Sequence, residues 1–237
     1  MSSPWYIKLV SWLVTLIVPV VLVLSTVRLL LSPVFINIEY NTPGFPEDMF
    51  GFTRQDRLYW SNIARLYLLN DRGIDYLAEL RFPDGGMAPP QSCRYMEDCN
   101  LLYNERELQH MVDVKNVVQA ALKVWYISLI LLAVLGVWAW FGGWWRQYKT
   151  SLSRGGWLTV ILIAGILAFV ILAFGVIFVA FHNVFFEAGT WTFYFSDTLI
   201  RLFPERFWRD IFLAVGLLSG GAGLLLGYFL RARPEPV

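Results

Sequence analysis

A chain of 237 residues that is 57% hydrophobic, 17% aromatic and only 16% charged carries more apolar side chains than a soluble domain of this size buries, which excludes an ordinary soluble enzyme. Its net charge of +1 supplies no basic field for nucleic acid. The apolar excess falls in four runs, Leu9–Leu31, Val124–Trp145, Trp157–Phe181 and Ile211–Leu230, each near the ~20 residues that cross a ~30 Å hydrocarbon layer.

The expected fold class is an all-α membrane protein with four transmembrane helices and a mostly helical extracytoplasmic cap. Residues 1–31 form the first span. Its apolar run is longer than the roughly 7–15 residues of a signal-peptide core and no small-x-small site follows it, so it reads as a retained anchor. Pro19 within it is tolerable, because neighbouring helices satisfy the carbonyl it frees.

Residues 32–123 are too long for a linker and make the cap. Ser32–Gly51, rich in Pro, Asn and Gly, reads as loop or short strand. From Thr53 the spacing turns helical, with Leu58, Ile63, Leu66, Tyr67 and Leu69 apolar and Arg54, Asp56, Arg57 and Arg65 between them. Asn70–Gly73 closes that helix, with Gly73 as a left-handed cap. A short amphipathic helix over Ile74–Leu80 and a loop over Phe82–Asn100 follow. That loop holds Cys93 and Cys99, a disulfide pair if the cap faces an oxidising exterior. As metal ligands they would lack a nearby histidine or a further cysteine.

Asn104–Val114 opens another helical run. A single straight helix over 105–145 would set His110 about 24 Å from Tyr126 along its axis. Asp113 is a good N-cap ahead of the apolar face Val114, Val117, Val118, Ala121 and Leu122, so a break near Asp113 is expected. The second span is 124–145, a loop occupies 146–156, and the third span is 157–181. The aromatic segment 182–210 holds a strand-like Thr190–Phe195, then a brief helix Thr198–Phe203 capped by Ser196 or Asp197 and ended by Pro204. The fourth span is 211–230 and the tail 231–237.

Arg146, Lys149 and Arg154 mark the 146–156 loop, Lys8 precedes the first span, and Arg231 and Arg233 follow the last. The positive-inside rule places these, and both termini, in the cytoplasm. Segments 32–123 and 182–210 then face outward.

Only two histidines occur, His110 just before the second span and His182 just after the third. Imidazole is the side chain able to take and give a proton near neutral pH. The residues leave several readings open: two interfacial hydrogen-bonding groups, a bis-histidine haem site, or a zinc site completed by Asp113 or Glu187. No Ser or Cys nucleophile motif is present. Gly142-Gly143 and Gly220-Gly221-Ala222-Gly223 are no phosphate cradles; small residues in membrane helices permit close packing. The spans hold few polar residues, chiefly Ser11, Thr15, Ser128, Thr159 and Ser219, which weighs against a transporter. A non-enzymatic scaffold would need neither histidine.

Four stretches, taken together and in order, resemble one family. Glu107–Lys115 matches a pattern E-x-x-H-M-x-D-V-K ahead of the second span. His182 with Phe185, Phe186 and Gly189-Thr190-Trp191-Thr192-Phe193 resembles its second motif. Leu199–Trp208 resembles the motif before the fourth span, and Phe52–Leu58 an earlier, weaker one. The chain thus resembles the lipoprotein intramolecular transacylases (Lit) of bacterial cell membranes over almost its whole length. That resemblance implies four membrane helices with an exterior cap and catalytic histidines at their junction, here His110 and His182. It also implies an acyltransferase that needs no cofactor and no metal and acts on diacylglyceryl-modified lipoproteins among membrane lipids. The sn-2 acyl chain would pass to the amine of the lipoprotein's own N-terminal cysteine. Within this reading Asp113 would orient a histidine, and Asn183 or Trp191 would donate to the oxyanion. Phe181, Phe185, Phe186, Trp191 and Phe193 would line a water-poor pocket. The loop Pro83–Cys99 is longer than the family pattern suggests.

Overall fold

The computed structural model describes residues 4–231; Arg233 and the remainder of the expected tail lie outside the described residues. The elements are α1 (Trp5–Leu30), α2 (Pro33–Asn41), α3 (Arg54–Leu69), α4 (Asp75–Ala78), α5 (Pro90–Cys93), α6 (Glu105–Phe141), α7 (Trp145–Phe185), α8 (Thr198–Leu202) and α9 (Glu205–Phe229). Among the described residues there is no β-strand, only an isolated bridge between Arg81 and Leu101. Thr190–Phe195, expected to be strand-like, is turn and irregular chain.

Four helices, α1, α6, α7 and α9, are long and apolar enough to cross a membrane. The most apolar window of α6 buries only 11% of its residues against the protein, so lipid must cover the rest. These helices account for the expected spans, but their ends differ from the expectation. No break occurs near Asp113. Residues 105–141 form one 37-residue helix, because no Gly or Pro interrupts them before Gly136 and Asn104 caps the start nine residues before Asp113 does. The interruption falls instead in α7, at Ala173 (φ −151°, ψ 54°). Residues 146–156, expected to be a loop, are helical and belong to α7. The turn between α6 and α7 is Gly142–Trp144, where Gly143 takes φ +74°.

Two compact units divide the chain. The first contains α1 to Leu29, α6 from Ala121, α7 to Leu172 and α9 from Phe212. Glycine sets its closest helix contacts. A Cβ at Gly155 would lie 2.5 Å from the Cβ of Val18, and one at Gly156 would lie 2.5 Å from the Gly223 carbonyl oxygen. Small residues here let backbones approach. Within this unit Thr15, Thr159 and Ser219 donate to their own helix at Ser11, Gly155 and Val215. Polar groups spent on local backbone do not line a path for a solute.

The second unit comprises Leu30–Ala120 and Ala173–Ile211. Thr53 and Asp56 form a reciprocal capping box that starts α3. Trp60, Ala64 and Tyr67 then recur on its inner face, against Leu77, Leu102, Met111, Leu199 and Leu202. Asn70 caps the C-terminus with extended backbone (φ −97°); Gly73 does not take the left-handed conformation expected of it. Asp48 and Arg201 form a buried ion pair, 2% exposed on each side, with 3.0 Å between Nη2 and Oδ2. The guanidinium lies 3.6 Å from the Phe52 ring centroid, and Asp48 Oδ2 also accepts from the Phe52 backbone N–H at 2.7 Å. Removing one partner strands a charge, so Asp48→Ala should cost about 3–5 kcal/mol, whereas an apolar replacement of both should cost far less. Thermal unfolding of the two variants in detergent measures the difference.

Glu39 is a second buried acid, 4% exposed. Burial, with the Asp210 carboxylate beside it, raises its carboxyl from 4.5 to about 7, against the opposing pull of Arg206. The folded chain therefore holds a proton that the unfolded chain releases near pH 4.5. This contribution to stability is complete below that pH and lost as pH rises through about 7. Glu39→Gln should flatten the melting temperature across pH 5–7 relative to wild type.

Candidate active site

His110 is set by the way α6 begins. Asn104 Oδ1 accepts from the Glu107 backbone N–H at 3.1 Å and Glu107 Oε2 accepts from the Asn104 backbone N–H at 2.9 Å, a reciprocal cap of the first turn. Glu107 is itself buried, and its other oxygen accepts from the Leu199 backbone N–H at 2.7 Å. One carboxylate thus fixes the start of both α6 and α8, and His110 follows it on the same face one turn later. Glu107 opens the E-x-x-H-M-x-D-V-K pattern, but its residue type alone assigns it no role.

His182 lies near the end of α7. Its Nδ1 is 2.8 Å from the carbonyl oxygen of Phe178. A carbonyl only accepts, so Nδ1 carries the hydrogen and Nε2 of the neutral ring holds the lone pair. The two imidazoles come together with centroids 6.3 Å apart and planes within 18°. Both are buried. Phe186 touches both, at 4.9 Å from His110 and 5.6 Å from His182. Phe193 packs 5.3 Å from His110, and Trp191 and Phe178 pack 4.8 and 4.1 Å from His182.

All of these groups except Phe186 border a cavity of about 170 Å³ within the second unit. His110, His182, Arg65 and the indoles of Trp191 and Trp208 are its polar members; the rest of the wall is apolar, including Met111, Phe178 and Phe193. Two of the polar atoms are conspicuous. His110 Nδ1 and Trp191 Nε1 are buried and make no hydrogen bond to the described residues, a costly state unless a bound molecule supplies the partner. Arg65 is steadied by Asn62 Oδ1 at 3.2 Å and the Leu31 carbonyl at 3.3 Å; the sequence pattern had shown it only as a charged position between apolar ones.

The expected site residues divide. His110, His182, Trp191, Phe186 and Phe193 assemble, whereas the others do not. Asp113 takes the Gln109 amide at 3.4 Å and makes no hydrogen bond to either imidazole among the described residues. Phe178, one turn before His182, holds that ring instead. Asn183 is exposed and absent from the cavity wall, which removes it as an oxyanion donor to this cavity. Phe181 meets the His182 ring edge-on at 5.7 Å and packs on Phe185 at 4.8 Å, but both phenylalanines are exposed and do not line the cavity. Among the described residues no three His, Cys, Asp or Glu side chains are grouped to hold a metal ion, so neither Asp113 nor Glu187 completes a ligand set with the histidines.

Residues 11–208 match the family described as lipoprotein intramolecular transacylase Lit. A protein of Aquifex aeolicus (strain VF5), described as uncharacterized, is 30% identical over 222 residues, 92% of each chain. The solved membrane-integral lipoprotein intramolecular transacylase Lit of Bacillus cereus superposes with a TM-score of 0.67 at 20% identity, covering 92% of this chain and 93% of that one. A histidine-to-alanine variant of the same Bacillus cereus protein superposes with a TM-score of 0.63 at 21% identity, covering 95% and 92%.

Proposed function

The chain belongs to the lipoprotein intramolecular transacylase family Lit and is an acyltransferase, and we propose that it moves the sn-2 acyl chain of a diacylglyceryl-modified lipoprotein onto the amine of that lipoprotein's N-terminal cysteine, with His110 and His182 as the proton-transferring groups. The observation that carries this reading is the pairing of the chain's only two histidines, 6.3 Å apart on the wall of one apolar cavity.

In the proposed reaction the neutral amine attacks the sn-2 ester carbonyl carbon. His182 Nε2, whose lone pair is set by the Phe178 hydrogen bond, takes the proton that nitrogen loses. The proton passes from His182 to His110, and as the C–O bond to glycerol breaks the departing oxygen receives it from His110, so both rings end neutral as they began. An ester becomes an amide, the glycerol regains its 2-hydroxyl, and no proton is gained or lost overall. Trp191 Nε1, buried and without a hydrogen bond to the described residues, is the donor suited to the oxyanion of the tetrahedral intermediate. Both reacting groups belong to one molecule, so much of the acceleration comes from holding them together. The apolar wall keeps competing water from the ester.

The same reading places the protein in the bacterial cytoplasmic membrane, with segments 32–123 and 182–210 facing the exterior. The basic residues Lys8, Arg146, Lys149, Arg154 and Arg231 mark the cytoplasmic side and both termini, and diacylated lipoproteins and their ester groups are met on the opposite face. Mass spectrometry of the N-terminal lipopeptide of a diacyl lipoprotein, incubated with the protein in liposomes, tests it. The expected product carries one N-linked and one glycerol-linked acyl chain. Recovery of unchanged diacyl lipopeptide from folded protein would remove the reading.

A further inference from the structure

The segment that carries Trp191 and Phe193 to the imidazoles has no regular structure from Gly189 to Asp197. Its own local bonds include one from Thr192 Oγ1 to the Gly189 carbonyl at 3.2 Å and a reciprocal pair in which Asp197 Oδ2 accepts from the Tyr194 backbone N–H at 2.9 Å and the Asp197 backbone N–H donates to the Tyr194 carbonyl at 3.0 Å. What grips it from outside is the loop closed by Cys93 and Cys99, whose sulfurs are bonded with Cα atoms 5.1 Å apart. Ser92 and Ser196, both buried, join hydroxyl to hydroxyl at 2.8 Å. Tyr95 stacks on Tyr194 with centroids 5.5 Å apart and planes within 16°, and their hydroxyls lie 3.2 Å apart. The Arg106 guanidinium covers both rings, at 5.5 and 5.1 Å, and reaches Asp197 Oδ2 at 3.5 Å.

We propose that the Cys93–Cys99 loop is a redox-sensitive buttress of the histidine site, with Tyr95 a positioning residue that acts through segment 189–197; its catalytic consequence rests on the transacylase reading above. Ser92 and Tyr95 flank Cys93 on a four-residue helix and the turn after it. Exchange with an external dithiol, which is oxidised to its own disulfide as Cys93 and Cys99 become thiols, frees the far end of that turn and with it the stack that pins Tyr194. Trp191 and Phe193, one to three residues upstream of Tyr194, then lose their fixed orientation against His182 and His110. An oxidising exterior keeps the loop closed, so the buttress is complete only on a protein that has reached its proper compartment.

The chain's composition makes the test clean. Its two cysteines are the only sites of thiol reduction and its two histidines give two ring signals. The full-length protein, labelled at histidine and held in detergent micelles, is compared by NMR before and after reduction, with free thiols counted. Both Cε1–H signals are expected to move as the neighbouring aromatic rings shift, and to return on reoxidation. Tyr95→Ala should reproduce the displaced signals without reductant, and Tyr95→Phe, which keeps the stack, should retain the wild-type positions. Turnover should fall about tenfold in the reduced protein, a modest loss of positioning. Unmoved signals with both thiols titrated would overturn the buttress, and moved signals with unchanged turnover would overturn its catalytic role. Moved signals in a protein whose oxidised form transfers no acyl chain would support the buttress while removing the transacylase reading.

Discussion

His110→Ala and His182→Ala should each lower acyl transfer by about 10²–10⁴-fold, the range that general acid–base groups contribute, while the protein still melts as a folded species. The expectation rests on the site's poverty in alternatives. No carboxylate lines the cavity, and Arg65 does not titrate near neutral pH. Because the amine must lose a proton and the alkoxide must gain one in the same turnover, the two imidazoles act as a unit. The double variant should then be little worse than the more damaging single one. Single-turnover conversion of the diacyl lipopeptide, followed by mass spectrometry, gives the three ratios. Wild-type rates in either single variant would take that imidazole out of the chemistry. Wild-type rates in both would make a non-enzymatic scaffold the better account of this chain.

What was legible in the sequence followed from strong, local signals. Twenty-residue apolar runs mark spans because hydrocarbon admits almost nothing else, and the two histidines were noticed because they border those runs. Element ends were less legible where two equally good signals compete. Both Asn104-x-x-Glu107 and Asp113 are helix starts by residue type; the first is used, with the reciprocal Asn104–Glu107 cap anchored by the Leu199 backbone N–H on Glu107, a contact that spans 92 residues. Residues 146–156 looked like a loop because they are polar, but until Gly155 they contain no glycine or proline, and polarity alone does not end a helix. The aromatic wall was half right for a geometric reason. Phe178 and Phe186 stand four residues either side of His182 and share its face, whereas Phe181, its immediate neighbour, reaches only the edge of that ring and is exposed outside the cavity wall. The Asp48–Arg201 pair joins positions 153 residues apart and left no trace in either local pattern.

Trp191→Phe is the second substitution expected to act strongly. It keeps an aromatic ring against His182, where the indole now packs at 4.8 Å, and removes only the Nε1–H. That N–H is buried and makes no hydrogen bond to the described residues, so it is free to meet a tetrahedral oxyanion, which it would stabilise more than a planar ester. Loss of one such donor lowers kcat by about 10²–10³-fold in other oxyanion sites, and the same range is expected here with KM nearly unchanged. A rise in KM at constant kcat would instead make the indole a binding surface for ground-state substrate. Asn183→Ala provides the contrast, because Asn183 is exposed and outside the cavity wall; its rate should stay within about twofold of wild type, since substitutions away from buried features change energies little. The two variants together decide whether the hydrogen-bond donor at this site comes from the irregular segment that packs beside His182 or from the end of α7 itself.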